Sequence, residues 1–372
     1  MQILVVDTRK RDQTRQFLDL PFEIYKCYPQ WVPPLAGDAR FMLNRDKHPF
    51  YKHGAAEFFL ALEDDEPVGR LAVLKNDNFN AHNQDQAAFF YLFECGDHPQ
   101  AAQGLFEAAA IWARKQGLTR IMGPRGFTVF DGLGMLVKGF EHRPAFGLPY
   151  NPPYYCRLVE AVGFKTYSEL VSGYLDEKME FPEIVQRGAE LIMKRRGLRI
   201  AKFNTRQDLR NLIPHLKDLY NSSFTEGDGN IPLTDEDVMG IANQMLWFAD
   251  PKLIKIVMKD EQPVGFLVAY PDISAAIQRT GGKMFPLGWL QMIIELKRTK
   301  WININGAGMV EAYRGSGGTA ILFSEMYKSV AESRYRFADL VQIGTENDNM
   351  QREMRKFGID FYKTHRMYEW DI

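Results

Sequence analysis

Two stretches of the chain share one pattern of apolar and polar positions. Residues 57–73 and 253–269 each consist of two β-prone runs on either side of a short turn that contains acidic residues. This composition predicts a β-hairpin. The second run contains Pro-Val-Gly in both copies, and the two glycines, Gly69 and Gly265, are 196 residues apart. The pattern therefore predicts two domains of similar architecture.

The segments after the two hairpins contain the same predicted elements in the same order. Each has a strand, a long helix, a second strand, a short helix that ends in glycine, and a closing hairpin. The long helices are predicted over 99–116 and from about 316 to 333, and the short helices end at Gly163 and Gly358. The last closing hairpin is expected over 361–370.

This order predicts an α/β fold of the mixed-sheet (α+β) type, with two tandem domains in which helices flank a central mixed β-sheet. We expect the first domain over 1–178, a linking helix over 179–197 and the second domain over 198–372. Residues 286–298 carry apolar side chains at helical spacing. We expect this stripe to pack in the core, and a lid or a membrane-surface contact are the alternatives.

The sharpest candidate for chemistry is the turn Arg314-Gly315-Ser316-Gly317-Gly318-Thr319, which follows a β-prone stretch and opens a helix. Glycines permit positive φ and a close approach of a ligand to the main chain. The helix start adds unpaired N–H groups and the positive end of the helix dipole. The turn therefore predicts the binding of an anion such as pyrophosphate.

Charge and cysteine content narrow the classes of function. The 372 residues include 46 basic and 47 acidic side chains, and this balance argues against a general nucleic-acid binder. No stretch approaches the roughly 20 apolar residues of a membrane span, and no signal-peptide pattern opens the chain, so a cytoplasmic location is expected. Cys27, Cys95 and Cys156 form no CxxC pair, and no disulfide framework or metal site is expected.

Residues 198–372 resemble the GCN5-related N-acetyltransferase (GNAT) superfamily. The resemblance rests on the cofactor motif at 314–319 and on the order of the elements around it. The first half resembles the same fold less closely, because its strand–helix junction at 94–99 lacks the arginine and the glycine pair. We interpret it as a degenerate copy that does not bind coenzyme A in the usual way. The whole chain also resembles a group of bacterial tandem GNAT-like proteins, through segments such as 150–155 and 362–369.

The resemblance implies an acyl-CoA-dependent N-acyltransferase, with acetyl-CoA or another acyl-CoA held by the second half. Main-chain groups of the motif strand would pair with the pantetheine arm, and amides of the turn would hold the pyrophosphate. The implied cofactor residues are Met309, Val310, Arg314, Gly315, Ser316, Gly317, Gly318, Thr319 and Asn347. Thr319 stands where the family usually has glycine or alanine. Its larger, β-branched side chain would crowd the phosphate side.

The catalytic groups are less well defined. The family often has a proton-donating tyrosine four residues before the glycine that ends the short helix, but Met354 occupies that position here. Glu226, Tyr362 and His365 are the candidates for proton transfer, each with a structural alternative as a solvated turn or a packing residue. The excursion 124–155 is the candidate for acceptor recognition, either by shaping a pocket or by covering a sheet edge. Its predicted pocket residues are Asn151, Tyr154 and Tyr155.

Three functions remain open on the sequence. The first is transfer of an acyl group to a small-molecule or peptide amine. The second is a non-catalytic protein that binds coenzyme A or another small ligand, which the missing tyrosine favours. The third is an aminoacyl transferase that uses charged tRNA, which would need a basic face that the near-zero net charge does not suggest.

Overall fold

The computed structural model describes residues 1–128, 131–176, 178, 181–203, 205–224, 230–314 and 317–372, with the side chains of 241–245 excepted. The strands are β1 (Gln2–Val5), β2 (Gly54–Glu63), β3 (Glu66–Asn76), β4 (Ala87–Cys95), β5 (Arg120–Gly123), β6 (Met135–Lys138), β7 (Lys165–Leu175), β8 (Leu198–Ile200), β9 (Ile254–Lys259), β10 (Gln262–Pro271), β11 (Trp301–Met309), β12 (Phe337–Gly344) and β13 (Asp360–Asp371). The helices are α1 (Arg11–Ile24), α2 (Ala36–Met42), α3 (Asp77–Asn83), α4 (Pro99–Lys115), α5 (Tyr155–Val162), α6 (Glu183–Arg196), α7 (Arg206–Phe224), α8 (Asp235–Met245), α9 (Ser274–Thr280), α10 (Gly288–Arg298), α11 (Gly318–Ala331) and α12 (Asp348–Lys356). The predicted mixed α/β class is confirmed. Each half has its hairpin, strand, long helix, second strand and short helix in the predicted order, but a single strand, β7 or β13, stands in place of each predicted closing hairpin.

The strands of both halves join in one mixed sheet. Their order is β1-β2-β3-β4-β5-β13-β7-β12-β11-β10-β9-β8, and β6 adds to β13. The last strand of the chain, β13, therefore lies between β5 and β7 of the first half. In turn, β7 pairs with β12 of the second half. Each half thus contributes its terminal strand to a seam shared with the other half.

The predicted closing hairpin over 361–370 is wrong. Strand β13 runs without a turn from Asp360 to Asp371 and pairs with β7 along most of its length. The physical reason is that residues 361–370 contain no glycine, proline, asparagine or aspartate, the residues that favour tight turns. The apolar alternation that suggested two short strands belongs to a single long one.

Each half has its own main core beneath its long helix. In the first half, α4 buries Ala102, Phe106 and Ala109, which recur at helical spacing, against β2, β3 and β4. In the second half, α11 buries Leu322 and Met326 against the strands β9, β10 and β11. Complete burial of one such large side chain contributes about 1.5–3 kcal/mol. The two cores fix the position of the helix relative to the strand that precedes it.

The strands separate at one point in each half. In the first half, β4 and β5 pair in parallel only from Ala87 to Phe89 of β4. In the second half, β11 and β12 pair only as far as Ile304 of β11. Beyond these points, Leu92 on β4 and Gln342 on β12 have positive φ, and the antiparallel registers shift nearby. The result is a V-shaped opening beside each long helix.

The expected burial of the apolar stripe in 286–298 is wrong. Leu287, Leu290 and Ile293 are exposed on and before α10, whereas Met292 is buried. The reason is that α10 packs on α9 through its opposite face, where Met292 and Leu296 meet Ile277 and its neighbours. The spacing of the apolar residues predicts a helix, as observed. The helix has apolar residues on the face that packs on α9 and on the exposed face as well.

Within the described part of the chain, none of the helices has both the length and the apolar character needed to cross a bilayer.

Candidate functional site

A cavity of about 740 Å³ lies between the two halves of the protein. Its walls include the end of β4, described parts of the excursion 124–155, the segment before α2, and residues 231–240 and 247–248 of the second half. Most of its lining side chains are aromatic or aliphatic, among them Trp31, Leu35, Phe41, Phe127, Phe146 and Phe248. The volume falls in the usual range of about 300–1,000 Å³ for ligand pockets. A hydrocarbon chain is the kind of ligand that such walls suit.

One wall of the cavity carries a buried polar cluster centred on Glu94. The hydroxyls of Tyr25 and Tyr155 lie 2.7 and 2.8 Å from its Oε2. Arg70 Nη2 lies 3.6 Å from its Oε1. Burial raises the pKa of Glu94, whereas the charge of Arg70 and the two hydroxyl donors oppose the shift. Both charged side chains are largely withdrawn from water, so each depends on the other.

The sheet register explains why this pair forms. Arg70 on β3 is directly opposite Glu94 on β4, and each charged residue is flanked by apolar residues of its strand. Arg70 Nη1 also donates to the main-chain oxygen of Phe17, 2.8 Å away on α1. The strand pairing therefore positions the carboxylate, and Tyr25 directly after α1 and Tyr155 of α5 supply its other partners.

The Tyr155 hydroxyl stabilises two buried groups at once. It donates to Glu94 and accepts from the N–H of Cys95, 2.9 Å away. We expect Tyr155→Phe to lower the free energy of unfolding by about 1–3 kcal/mol, because both partners lose a buried hydrogen bond. Urea denaturation followed by circular dichroism would measure the change. Tyr327→Phe is the control, since among the described residues the Tyr327 hydroxyl makes no hydrogen bond, and its change should stay below about 0.5 kcal/mol.

A second carboxylate, Asp131, lines the cavity on the excursion. Its Oδ2 accepts from the N–H of Thr128 at 2.8 Å, and burial raises its pKa to about 6. Gly126 makes room for it, because a Cβ at that position would lie 2.4 Å from Asp131 Oδ2. A carboxylate with a pKa close to neutrality is suited to accept a proton and release it again.

The excursion that carries Asp131 is hydrogen-bonded to the second half. Leu133, two residues further on, donates its N–H to Gln342 Oε1 at 3.0 Å, and Gln342 Nε2 donates back to the Leu133 oxygen. Gln342 is the β12 residue with positive φ at the point where β12 leaves β11. The excursion is therefore tied to the point where β12 leaves β11, two residues after Asp131.

The second half contributes a polar wall of its own to the same cavity. Asn305 is the first β11 residue beyond the parallel pairing with β12, and it lines the cavity. Its Nδ2 lies 2.6 Å from the Tyr270 hydroxyl, which donates to the main-chain oxygen of Phe146 at 3.3 Å. The cavity thus extends from Glu94 in the first half to Asn305 in the second.

The strands that precede the two long helices have equivalent ends. Cys95 on β4 is opposite Gly69, and Met309 on β11 is opposite Gly265. In both cases the N–H of the following residue donates back to the hairpin strand. Cys95 and Met309 therefore occupy the same position in the two halves, with main-chain groups directed into the V-shaped opening.

The two openings differ in what occupies them. In the first half, the hydroxyls of Tyr154 and Tyr155 bond the oxygen and the N–H of Cys95, each at 2.9 Å. In the second half, Arg314 Nε donates to the Met309 oxygen at 3.1 Å, and no side chain bonds the Met309 N–H among the described residues. Two tyrosines at the start of α5 therefore occupy the first opening, whereas in the described part of the second half no tyrosine bonds Met309.

The start of α11 has several features of an anion site. Gly317 precedes it with φ 86°, and no side chain caps the helix among the residues that the structure describes. No described side chain therefore accepts from the first-turn N–H groups. Gly317 and Gly318 also allow close packing around the helix start. A Cβ on Gly317 would lie 2.3 Å from Ile192 of α6, and a Cβ on Gly318 would lie 2.5 Å from Met309. Gly315 and Ser316 lie outside the described residues.

Two bacterial proteins match almost the entire chain in sequence. One is Protein YghO of Escherichia coli (strain K12), 24% identical over 378 residues that cover 100% of this chain and 96% of that protein. The other is the bacterial ceramide synthase of Caulobacter vibrioides (strain NA1000 / CB15N), 25% identical over 98% of this chain and 96% of that protein. No protein-family model matches the chain.

Two solved structures of acetyltransferase fold cover the whole chain. A tandem GNAT protein from the clavulanic acid biosynthesis pathway has a TM-score of 0.57 at 12% identity, over 100% of this chain and 98% of that one. A GCN5-related N-acetyltransferase from Sphaerobacter thermophilus has a TM-score of 0.52 at 12% identity, over 100% of this chain and 95% of that one. This chain has the tandem GNAT fold.

Within this GNAT fold, the two predicted catalytic residues that the structure describes, Tyr362 and His365, are not part of the cavity lining. Glu226 lies outside the described residues. The Tyr362 hydroxyl donates to Asp339 at 2.7 Å. His365 is fully buried, its Nε2 lies 3.1 Å from the Pro149 oxygen, and burial lowers its pKa to about 4. Both described residues therefore have structural partners.

The predicted binding residues of the GNAT fold are distributed between two places. Asn151 and Tyr155 line the cavity, whereas Tyr154 bonds Cys95 beside it. Asn347 caps α12 by accepting from the N–H of Met350 at 3.1 Å. The guanidinium of Arg314 donates to main-chain oxygens of Met309 and of Ser223, the latter at 2.7 Å. Val310 follows β11, and Thr319 is half-buried in the first turn of α11.

The sequence pattern does not mark Glu94 or Asp131 as possible proton-transfer residues. For Glu94 the available signal was a pair of opposite charges, with Arg70, in neighbouring apolar strands. For Asp131 no local signal exists, because its environment depends on the path of the excursion. Among the described residues, no group of three or more histidine, cysteine, aspartate or glutamate side chains could hold a metal ion.

Proposed function

We propose that the protein is an N-acyltransferase that transfers an acyl group from acyl-CoA to the amine of a long-chain lipid. The cavity is the observation that carries this proposal, because it combines apolar walls with a carboxylate whose pKa lies near 6. Each methylene group buried there would contribute about 0.8 kcal/mol to binding. The similarity to a bacterial ceramide synthase over nearly the whole chain supports a lipid amine as the acceptor.

We assign the role of general base to Asp131. Acyl-CoA supplies the acyl group as a thioester. Asp131 accepts a proton from the acceptor ammonium, so that the nitrogen lone pair can attack the thioester carbonyl. The C–N bond forms, the C–S bond breaks, and the departing sulfur takes the second nitrogen proton, which leaves an amide and a free thiol. General base catalysis of this kind contributes about 10²- to 10⁴-fold.

The polar cluster around Glu94 suits the head group of the acceptor. Glu94, Tyr25 and Tyr155 offer oxygen atoms next to the apolar cavity surface. Hydroxyl groups of an amino alcohol would find both donors and acceptors there. Asn305 and Tyr270 provide polar contacts on the wall nearest to β11.

We propose that the second half holds acyl-CoA. The uncapped first turn of α11 supports a pyrophosphate site, because its N–H groups and the helix dipole favour an anion. The main chain at Met309 supports pairing with the pantetheine arm. At the equivalent Cys95 of the first half, both main-chain groups are already bonded by tyrosine hydroxyls. This difference agrees with the interpretation of the first half as a degenerate copy.

Thr319→Glu tests the location of acyl-CoA. A glutamate in the first turn is favourable for the helix, yet it would repel pyrophosphate, so folding should persist while binding is lost. We expect the dissociation constant of acyl-CoA, measured by calorimetric titration, to rise at least about tenfold. Gln100→Glu is the matched control, because Gln100 is the second residue of α4 as Thr319 is of α11.

The outcomes separate the candidate functions. Loss of affinity only in Thr319→Glu would support the second-half site, whereas loss only in Gln100→Glu would place acyl-CoA in the first half. Tight binding without thiol release from acyl-CoA, over a panel of long-chain amines that includes sphinganine, would favour a non-catalytic binding protein. If acyl-CoA does not bind to the wild type, both the acyltransferase and the non-catalytic acyl-CoA-binding protein are contradicted.

A further inference from the structure

Helix α10 and the loop before it carry an exposed apolar surface, which we call the α10 surface. It consists of Phe285, Leu287, Trp289, Leu290 and Ile293, whose exposed fractions are 86, 65, 49, 41 and 40%. Single exposed apolar residues are common, but a contiguous set of this size usually marks an interaction site.

The α10 surface is not the edge of a core. Helix α10 already buries its other face, with Gly288 and Met292 inside and Leu296 packed on the cluster around Ile277. A helix at a water-facing surface normally presents polar side chains outward. On α10 the exposed residues Trp289, Leu290 and Ile293 are apolar, and Gln291 is exposed between them.

The charges around the α10 surface identify the kind of partner. Residues 273–300 contain five basic side chains and a single acidic one, a net charge of +4 in a chain whose total is −1. The acidic residue, Glu295, forms an ion pair with Arg279. Lys283, Lys297 and Arg298 are exposed beside the apolar side chains. Apolar residues that include tryptophan and phenylalanine, together with basic side chains, are typical of a segment that binds anionic lipid.

The position of the α10 surface relates it to the cavity. Gln278 Nε2 donates to the main-chain oxygen of Trp31 at 2.9 Å, and the N–H of Ala36 donates to the Gly282 oxygen at 2.9 Å. Trp31 and the residue before Ala36, Leu35, line the cavity. The loop that carries the α10 surface is therefore hydrogen-bonded to a cavity wall.

We propose that the α10 surface docks the protein on an anionic phospholipid bilayer. Phe285 and Trp289 enter the interface between head groups and acyl chains, while Lys297 and Arg298 contact the phosphates. This proposal goes beyond the acyltransferase reaction and does not depend on where acyl-CoA binds. It gives a lipid that enters the cavity a short path from the bilayer.

Vesicle flotation with the full chain tests the docking. The wild type should bind vesicles of phosphatidylglycerol and phosphatidylethanolamine at least about tenfold more tightly than vesicles of phosphatidylcholine alone. The variant F285D/W289D removes the apolar contact and K297E/R298E reverses the charge, and each should lower binding at least about tenfold. The control I111D/I184D adds the same charge at two exposed isoleucines outside this surface, and it should bind as the wild type does.

The results distinguish a bilayer from other occupants. Wild-type binding that neither site variant lowers, or that the control lowers equally, would overturn the proposal, as would a wild type that does not float with anionic vesicles. A dimer in lipid-free solution that F285D/W289D dissociates would identify the surface as a contact between two copies, and would also overturn it. The K297E/R298E variant changes only exposed side chains, so the test does not depend on the apolar variant remaining folded.

Discussion

Asp131→Asn is expected to lower turnover about 10²- to 10⁴-fold, the usual contribution of a general base. Asparagine keeps the shape of the side chain and an oxygen for the Thr128 N–H, but it cannot take a proton from the acceptor. Release of thiol from acyl-CoA in the presence of a long-chain amine would measure the loss. Asp97→Asn is the control, because Asp97 is exposed and pairs with Arg157 away from the cavity.

The pH dependence gives this prediction a second, independent readout. Because burial raises the pKa of Asp131 to about 6, the wild-type rate should fall as the pH drops through about 6 and the carboxylate becomes protonated. The Asp131→Asn variant should lack this limb of the profile. A variant that retains the limb, or that keeps more than about a third of the wild-type rate, would exclude Asp131 as the base.

Asp131→Asn should lower turnover without lowering the stability of the fold. A carboxyl group with a raised folded-state pKa binds its proton more tightly in the folded than in the unfolded protein, so it costs stability as the pH rises from about 4 to about 6. The asparagine side chain of the variant carries no charge and escapes this cost. The melting temperature of Asp131→Asn at pH 7 should therefore equal or exceed that of the wild type, which distinguishes loss of catalysis from loss of fold.

The features that the sequence predicts well are those determined by near neighbours. The two hairpins follow from β-prone runs around acidic turns, and the ends of the short helices follow from Gly163 and Gly358. Each of these depends on residues within one or two turns of the chain. The pairing of β13 with β7 joins segments about 200 residues apart, and no periodicity within either segment specifies its partner.

The candidate site was only partly accessible to sequence analysis for the same reason. Asn151 and Tyr155 could be proposed because the aromatic and proline residues around them are consecutive in the chain. The pKa of Asp131 depends on how the excursion folds over the cavity, which no local pattern encodes. The apolar stripe of α10 was recognised, but its orientation depends on which face α9 covers. Spacing indicates that a face exists, whereas tertiary contacts decide where it points.

The seam between the two halves contains the pair for which we expect the largest effect on stability. Lys363 on β13 and Asp339 on β12 are 1 and 3% exposed, and Lys363 Nζ lies 3.2 Å from Asp339 Oδ2. Lys363 also donates to the Arg143 oxygen at 2.9 Å, and Tyr362 donates to Asp339. Burial lowers the pKa of Lys363 and raises that of Asp339, while the partner's charge opposes each shift.

Lys363→Met is expected to lower the free energy of unfolding by about 3–5 kcal/mol, because it leaves the Asp339 carboxylate buried without its cation. Chemical denaturation at pH 7 would measure the change. The deficit should shrink toward pH 4: without Lys363 the pKa of Asp339 is raised further above its unfolded value, so the folded variant is favoured where the carboxyl is protonated and loses stability as the pH rises.

Two further variants separate the loss of the pair from general damage to the core. The double variant Lys363→Met/Asp339→Asn removes both charges and should recover most of the stability, since the cost comes from the unpaired carboxylate rather than from the missing ion pair. Arg187→Met breaks the exposed pair with Glu183 and should cost less than about 1 kcal/mol. A single variant no less stable than Arg187→Met would contradict the assignment of a strongly coupled pair. A double variant as unstable as the single one would show instead that the methionine packs badly, because only a charge effect can be cancelled by removing the opposite charge.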